Sequence, residues 1–155
     1  METSAEGLEF VKRHEGCRLE VYKDATGHAT IGYGHLITEP ERLTTITQSD
    51  ADKLLAADLK RFEAVVSQLQ SERAAHSRAR LGQHQLDALV DFAFNVGRRA
   101  FTTSRVYYHA ANDHTEAPHA PAAMMTWTKS NGVRLTGLMR RRYRCYRLYM
   151  EADYQ

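Results

Sequence analysis

The sequence is poor in cysteine and proline and contains no long apolar run. Its 155 residues include only two cysteines, Cys17 and Cys145, too few for a disulfide framework and without neighbouring ligands for a zinc site. No stretch approaches the roughly 18 consecutive apolar residues that a membrane-spanning helix needs. Residues 1–7 are polar and acidic, and they lack the apolar segment of a secretory signal peptide. We therefore expect neither a disulfide-framed scaffold nor a membrane span, and no export signal.

The composition is that of an ordinary globular domain, with 43% hydrophobic and 26% charged residues. The net charge of +2 conceals an asymmetry between the two halves of the chain. Residues 1–75 carry 9 basic and 13 acidic side chains, whereas residues 76–155 carry 12 and 6. The basic residues are densest near the end, at Arg140, Arg141, Arg142, Arg144 and Arg147. This pattern indicates either affinity for a polyanion or simply a solvated helix face.

The N-terminal part combines a short helix with a small sheet. Thr3 and Glu6 have the spacing of a capping box, and Gly16 is a plausible helix end. Between Arg18 and His35 the apolar residues alternate around a turn-like segment, residues 24–27. This alternation predicts a β-hairpin or a small three-stranded sheet.

The remainder of the sequence predicts helices. A long amphipathic helix of about twenty residues should begin near Ser49, with Asp52 completing a capping box. An apolar segment, residues 86–96, predicts a buried helix that ends at Gly97. We expect further helices over residues 104–111, 121–129 and 137–150, and a turn at Asn131 and Gly132. Residues 112–123 are the most loop-like part of this half.

Chemically capable side chains are concentrated early in the chain. Glu15 closes the first helix, Asp24 follows nine residues later in the predicted turn, and Thr30 lies on the returning strand. Two carboxylates in different surroundings can divide acid and base work, as in glycosidic bond hydrolysis. From spacing alone, however, Glu15 could equally be a surface charge and Asp24 a turn residue, because the chain has 19 acidic residues.

The ordered motifs resemble those of phage-type lysozymes, glycoside hydrolase family 24. The first motif is Glu15, eight residues, Asp24, five residues, Thr30 and then Ile-Gly-Tyr-Gly-His, residues 31–35. Residues 85–97 resemble the buried helix of the family, and residues 100–104 resemble the segment that follows it. Trp127, the Asn-Gly turn, Gly137-Leu138 and Arg141-Arg142 resemble its C-terminal end. The resemblance covers residues 7–150, nearly the whole chain.

The resemblance implies an α+β lysozyme-like fold, with a small N-terminal β-sheet lobe and a helical C-terminal lobe joined by a long helix. The single domain 1–155 would comprise an N-terminal lobe of about residues 1–48, a connecting helix over 49–70 and a helical lobe over 71–155. The family cleaves the β-1,4 bond between N-acetylmuramic acid and N-acetylglucosamine in peptidoglycan. Glu15 matches its general acid, and Asp24 and Thr30 match the pair that positions a water molecule. Asp24 acting as a nucleophile is the mechanistic alternative.

Further positions match the family's glycan cleft. The resemblance implies substrate-binding roles at Leu36, Phe94, Asn95, Ser104 and Arg141. The alternatives are core packing for Leu36 and Phe94, and a solvent-facing side chain for Arg141, which the resemblance directs towards Glu15. His35 and Asp58 match a structural ion pair between the sheet and the long helix.

Some positions depart from the family's pattern. Residues 104–107 read Ser-Arg-Val-Tyr, and the segment 112–121 is an unusual insertion rich in His and Pro. Cys17 and Cys145 could pair as a disulfide after export, but two free thiols are the simpler expectation. These departures affect glycan subsites and packing and leave the reaction class unchanged.

The expected partner is bacterial peptidoglycan, whose carboxylates suit a basic C-terminal half. We expect a monomer without metal, cofactor, nucleic-acid partner or stable membrane insertion. The context that fits best is a phage endolysin, held in the host cytoplasm until a separate pore protein releases it to the wall. Alternatives are a secreted antibacterial toxin domain with an immunity protein, a non-catalytic peptidoglycan-binding module, and a lytic transglycosylase.

Overall fold

The computed structural model describes residues 1–24, 26–76, 78–113 and 119–155. Within these ranges the chain forms helices and two small antiparallel sheets, so the predicted α+β class is confirmed. The N-terminal elements are α1 (Ala5–Glu15), β1 (Arg18–Lys23), β2 (Ala29–Gly32), β3 (His35–Leu36) and α2 (Gln48–Ala75). The following elements are α3 (Gln83–Val96), α4 (Arg98–Thr102), α5 (Arg105–Asn112), α6 (His119–Met124), β4 (Lys129–Ser130), β5 (Val133–Arg134) and α7 (Thr136–Glu151).

The N-terminal sheet has three strands in the order β1-β2-β3, all antiparallel. Thr30 pairs with Leu36 and Ile31 pairs with His35 across β2 and β3. Ile31 is completely buried, whereas Leu36 on the edge strand is exposed. Side chains alternate between the two faces of a strand, yet Thr30, Ile31 and Gly32 are all buried, so both faces of β2 are covered.

Helix α1 begins one residue later than the predicted capping box. Ser4 is the N-cap, and its hydroxyl accepts a hydrogen bond from the backbone N–H of Gly7 at 2.9 Å. Thr3 instead donates its backbone N–H and its hydroxyl to Glu63 of α2, at 2.8 and 2.6 Å. The capping role predicted for Thr3 is therefore wrong, because a tertiary contact takes up its hydroxyl.

Helix α2 is longer than predicted, with 28 residues instead of about twenty. Its capping box is Thr47 with Asp50, not Ser49 with Asp52. Asp52 accepts hydrogen bonds from Lys12 and Gln48 instead. The helix continues through the polar residues after position 70, and the buried Arg73 there donates to backbone carbonyls of two other segments, at Ala79 and Ala110. These contacts stabilise a helical end that has no apolar stripe of its own.

Helix α3 packs in the core and carries the longest buried run of the chain, from Leu86 to Ala93. Gly97 ends it as predicted. Helix α6 is shorter than the predicted 121–129, because the chain turns after Met124 and Lys129 enters a two-stranded hairpin. The predicted turn of that hairpin is confirmed, with positive φ at Asn131 and Gly132.

The arginine-rich helix α7 is neither a uniform solvated face nor a uniform basic surface. Arg141 and Arg142 are buried, whereas Arg140 and Arg144 are exposed. Both cysteines are free thiols, with Cys17 exposed and Cys145 buried. In the described part of the chain, no helix combines the length and apolar character that crossing a bilayer requires.

Candidate active site

Glu15 lies at the last turn of α1, where its carboxylate contacts a buried cation from α7. The distance between Glu15 Oε1 and Arg141 Nη1 is 2.6 Å. The Glu15 side chain is 21% exposed and the Arg141 side chain only 7%. The carboxylate therefore lies between the protein interior and solvent, and its Oε1 contacts the buried guanidinium. The structure places Arg141 towards Glu15, as the resemblance implied, and not in solvent.

A second carboxylate, Asp91 of α3, holds Arg141 from the opposite side. Arg141 donates Nη2–H and Nε–H to the two oxygens of Asp91, at 2.7 and 3.2 Å. Burial alone would raise the pKa of Asp91, but the Arg141 guanidinium and His14 hold that pKa well below its usual range. Asp91 is therefore an ionised, fully buried partner that fixes the planar guanidinium in one orientation.

Two more side chains surround Asp91. The Cys145 thiol donates to Asp91 Oδ2 at 2.9 Å, and burial raises the pKa of this thiol well above its usual value. His14 Nδ1 lies 3.7 Å from Asp91 Oδ1, and the imidazole packs edge-on against Phe10. Among the described residues, neither ring nitrogen of His14 has a hydrogen-bond partner. Glu15 thus lies above a buried polar cluster, which we call the Asp91 cluster: His14, Asp91, Arg141 and Cys145.

Asp24 lies on the loop between β1 and β2 and is partly exposed. One of its oxygens, Oδ1, accepts hydrogen bonds from the Thr26 hydroxyl, the Thr26 backbone N–H and the His28 backbone N–H, at 2.8, 2.8 and 2.9 Å. The Thr26 hydroxyl and these backbone donors lower the pKa of Asp24. Asp24 is consequently an anion at neutral pH, held at a fixed position beside the sheet.

Thr30 lies two residues after His28 on β2 and is 3% exposed. Its hydroxyl donates to the carbonyl of His28 at 3.1 Å. This leaves the lone pairs of the Thr30 oxygen available to accept a hydrogen bond. Asp24 and Thr30 are thereby both tied to the backbone of the same residue, one to its N–H and the other to its carbonyl.

The four remaining predicted cleft residues differ in their exposure and in the contacts that their side chains already make. Leu36 is exposed, and Phe94 is half-buried with its ring edge-on to Phe62. The Asn95 side-chain oxygen accepts a hydrogen bond from the buried Arg142. Ser104 is the N-cap of α5, where its hydroxyl accepts from Tyr107 N–H at 3.1 Å and donates to the Phe101 carbonyl at 2.7 Å. Roles for these residues in substrate binding stay predictions.

His35 and Asp58 meet between the sheet and α2. His35 Nδ1 lies 2.9 Å from Asp58 Oδ2, and His35 Nε2 lies 3.3 Å from Glu41 Oε1. The two ring nitrogens thus face two carboxylates on different segments of the chain. His35 and Asp58 therefore link the sheet to the long helix α2.

Asp91 and His14 were not predicted from the sequence as parts of the site. The signal for Asp91 was present, since a carboxylate in the middle of an apolar segment needs a buried cationic partner. His14 gives no comparable signal, because its neighbours Arg13 and Glu15 make it look like part of an exposed helix end.

Comparisons with known proteins indicate the family of the chain. The sequence pattern of the phage lysozyme family matches residues 12–144. An endolysin of Acyrthosiphon pisum secondary endosymbiont phage 1 is 35% identical over 92% of this chain and 93% of its own length. The endolysin of Bacillus phage PZA is 33% identical over 92% of this chain, which spans 52% of that longer protein. The solved muramidase domain of SpmX from Asticaccaulis excentricus is 34% identical, with a TM-score of 0.81 over 96% of this chain and 97% of its own.

Proposed function

Because the chain belongs to the phage lysozyme family, we propose that it is a peptidoglycan hydrolase that cleaves the β-1,4 bond between N-acetylmuramic acid and N-acetylglucosamine. The observation that carries the proposal is the contact of Glu15 with Arg141 at a partly buried position. Glu15, Asp24 and Thr30 lie within residues 12–144, the range that the family pattern matches. Relatives that bear the names endolysin and muramidase are consistent with this activity.

In the proposed reaction Glu15 is the general acid. It donates its proton to the glycosidic oxygen as the bond from that oxygen to the anomeric carbon breaks. Proton transfer leaves a carboxylate, which the Arg141 guanidinium then stabilises at 2.6 Å. Before the proton is transferred, the negative charge of Asp91 balances the positive charge of Arg141. The protonated Glu15 then faces an ion pair with no net charge.

Asp24 and Thr30 supply the second half of the reaction. The ionised Asp24 accepts a proton from a water molecule, and the Thr30 hydroxyl oxygen helps to orient that water. The water oxygen attacks the anomeric carbon, which gives a product with inverted configuration. Direct attack by Asp24 would instead form a glycosyl intermediate and retain the configuration, and proton NMR of the fresh product distinguishes the two.

The test is the clearing of purified peptidoglycan by wild type, Glu15→Gln and Asp24→Asn, each shown to be folded by circular dichroism. We expect Glu15→Gln to lose about 10²- to 10⁴-fold in rate, the usual contribution of a general acid. Glu6→Gln is the matched control, since Glu6 is an exposed glutamate on the same helix. It should clear peptidoglycan like wild type.

Three outcomes would contradict this proposal. Undiminished clearing by Glu15→Gln would show that Glu15 is not the acid. Sedimentation with peptidoglycan without any turnover by wild type would favour a non-catalytic binding module. Products with anhydro-sugar ends, rather than reducing ends, would identify a lytic transglycosylase.

We also propose the setting in which this activity is used. The protein acts as a monomeric endolysin on the cell wall and reaches it from the host cytoplasm through a separate pore protein. A secreted antibacterial enzyme with an immunity partner is the alternative. Lysis from within that depends on co-expression of a pore-forming protein would support the endolysin setting, whereas protection by a neighbouring gene product would support the alternative.

A further inference from the structure

Two histidines and an aspartate converge where α5 ends and α6 begins. His109 Nδ1 lies 3.5 Å from Asp113 Oδ1, and His119 Nδ1 lies 3.5 Å from Asp113 Oδ2. One donor atom from each of the three side chains lies within 4.8 Å of the other two. The two imidazole rings are 5.3 Å apart and tilted by 30°, so they lie side by side against the same carboxylate.

These separations fit a shared ion better than direct hydrogen bonds. A hydrogen bond from a ring N–H to a carboxylate oxygen spans about 2.7–3.2 Å. Two ligands that each bind a tetrahedral zinc ion at about 2.0–2.1 Å are roughly 3.3–3.4 Å apart. The observed 3.5 Å is therefore close to the ligand separation of a metal site before any movement of the side chains.

The fold holds the backbones of these residues in place. His109 and Asp113 are four residues apart and therefore share one face at the end of α5. The Asp113 N–H donates to the His109 carbonyl at 2.8 Å, which caps the helix. His119 is the first residue of α6, and Ala110 and Ala120, the neighbours of the two histidines, are buried in the core.

We propose that His109, Asp113 and His119 form a binding site for a divalent transition-metal ion of the zinc class. Imidazole nitrogens favour zinc, cobalt, nickel and copper, whereas magnesium and calcium require oxygen ligands. Three protein ligands leave a fourth position for water, and the His119 side chain, 59% exposed, gives the ion access from solvent. The site joins the end of α5 to the start of α6, on elements separate from those of Glu15, Asp24 and Thr30.

The proposed metal site is independent of glycan cleavage, and it departs from the sequence-based expectation of a protein without metal. The three ligands lie around the segment that departs from the lysozyme pattern. A bound ion would link His109 to His119, which are ten positions apart in the sequence, and would stabilise the folded C-terminal part by mass action. Its expected effect is on the unfolding temperature and not on the rate of catalysis.

The first test is calorimetric titration of the folded protein with Zn²⁺, together with thermal unfolding with and without Zn²⁺. We expect one ion per chain and a higher unfolding midpoint with the ion. His109→Ala, Asp113→Asn and His119→Ala should each weaken binding at least tenfold, since even groups that only orient metal ligands cost about 10- to 100-fold. His76→Ala, which removes an exposed histidine at the end of α2, should bind like wild type.

Because the exposed thiol of Cys17 can also bind added zinc, the titration is repeated in Cys17→Ser. Binding that disappears in Cys17→Ser and persists in His119→Ala would overturn the proposal. So would binding of Mg²⁺ as tight as that of Zn²⁺.

A second measurement identifies the ligands without relying on variants. Nitrogen-15 NMR of histidine side chains should show Zn²⁺ shifting the Nδ1 resonances of His109 and His119 at one equivalent, with the other histidines unchanged. A uniform, weak response of all eight histidines would show an adventitious ion only, and would refute the site.

Discussion

Asp91 carries a charge in the middle of a helix whose other faces pack in the core. It is completely buried, yet it accepts from Arg141 and Cys145 and lies near His14. An unpaired carboxylate at such a position would cost several kcal/mol, so the charge persists only because Arg141 compensates it. Asp91 and Arg141 must therefore be considered as one unit.

Removing the charge of Asp91 should lower the unfolding free energy of the protein. Asp91→Asn keeps the shape but leaves the buried Arg141 with Glu15 as its remaining carboxylate partner, and we expect a loss of about 3 kcal/mol in unfolding free energy. Urea denaturation at pH 7 measures it. Asp24→Asn makes the same chemical change at a partly exposed site and should lower the unfolding free energy clearly less.

The ion pair of Asp91 and Arg141 also predicts how the stability of the protein changes at low pH. The pKa of Asp91 is lower in the folded protein than its ordinary 3.8, so its contribution is complete above about pH 4 and is lost as the pH falls further. Wild type should lose stability below pH 4 more steeply than Asp91→Asn. Parallel loss in both proteins would show that other carboxylates dominate acid unfolding.

At this scale the sequence predicts the candidate reacting residues but not the side chains that contact them. Glu15, Asp24 and Thr30 belong to a short, ordered motif, so a local pattern can propose them. The partners of Arg141 come from α1 and α3, 126 and 50 positions away in the chain, as the numbers of Glu15 and Asp91 show. No local pattern records such contacts, and the buried position of Arg142 was hidden for the same reason.

At the starts of the helices, tertiary contacts determine which of several possible residues caps the helix. Both capping boxes predicted from spacing were displaced, by one residue at α1 and by two at α2. In each case the chain offered several side chains able to cap. The Thr3 hydroxyl donates to Glu63, and Asp52 accepts from Lys12. The N-caps are therefore nearby residues, Ser4 in α1 and Thr47 in α2. The existence and order of the main helices, by contrast, followed from their apolar periodicity.

Two helical glycines should respond in opposite ways to the same substitution. A Cβ at Gly7 would lie 2.6 Å from Asp87 Cγ, whereas a Cβ at Gly137 would meet nothing within 4 Å. Gly137→Ala should therefore stabilise the protein by about 0.5–1 kcal/mol through helix propensity. Gly7→Ala should destabilise it by about 1–3 kcal/mol, because the helix and Asp87 must separate.

Urea denaturation of the two variants gives both values under identical conditions. Asp87 cannot easily move, since Ser4, Gln83 and Tyr154 all donate hydrogen bonds to it. A stabilised Gly7→Ala variant would mean that this network adjusts more readily than its bonding indicates.

Three tyrosines make the whole molecule sensitive to alkali. Burial raises the pKa of Tyr107, Tyr149 and Tyr154 to about 12, and nearby carboxylates add to the shift. A pKa raised in the folded state means that the unfolded chain loses protons first. The stability is then complete below pH 10 and declines as the pH rises towards 12.

We expect the unfolding free energy to fall between pH 10 and pH 12, with Tyr149 alone contributing about 1 kcal/mol per pH unit. Tyr149 is the most deeply buried of the three, so Tyr149→Phe should flatten the decline measurably. Urea titrations at pH 9, 10 and 11 compare the two proteins. An unchanged slope in the variant would assign the alkaline loss to other groups.

The bonds to Asp87 also bring the first and last residues of the sequence close together. Ser4 near the start and Tyr154 near the end donate to the same carboxylate oxygen, at 2.6 and 2.7 Å, and the Arg13 guanidinium holds the Tyr154 carbonyl. A linker from residue 155 to residue 1 would join these neighbouring segments and turn the chain into a ring. The ring could be reopened at the exposed turn of Asn131 and Gly132, giving a circular permutant with the same core and a new order of helices.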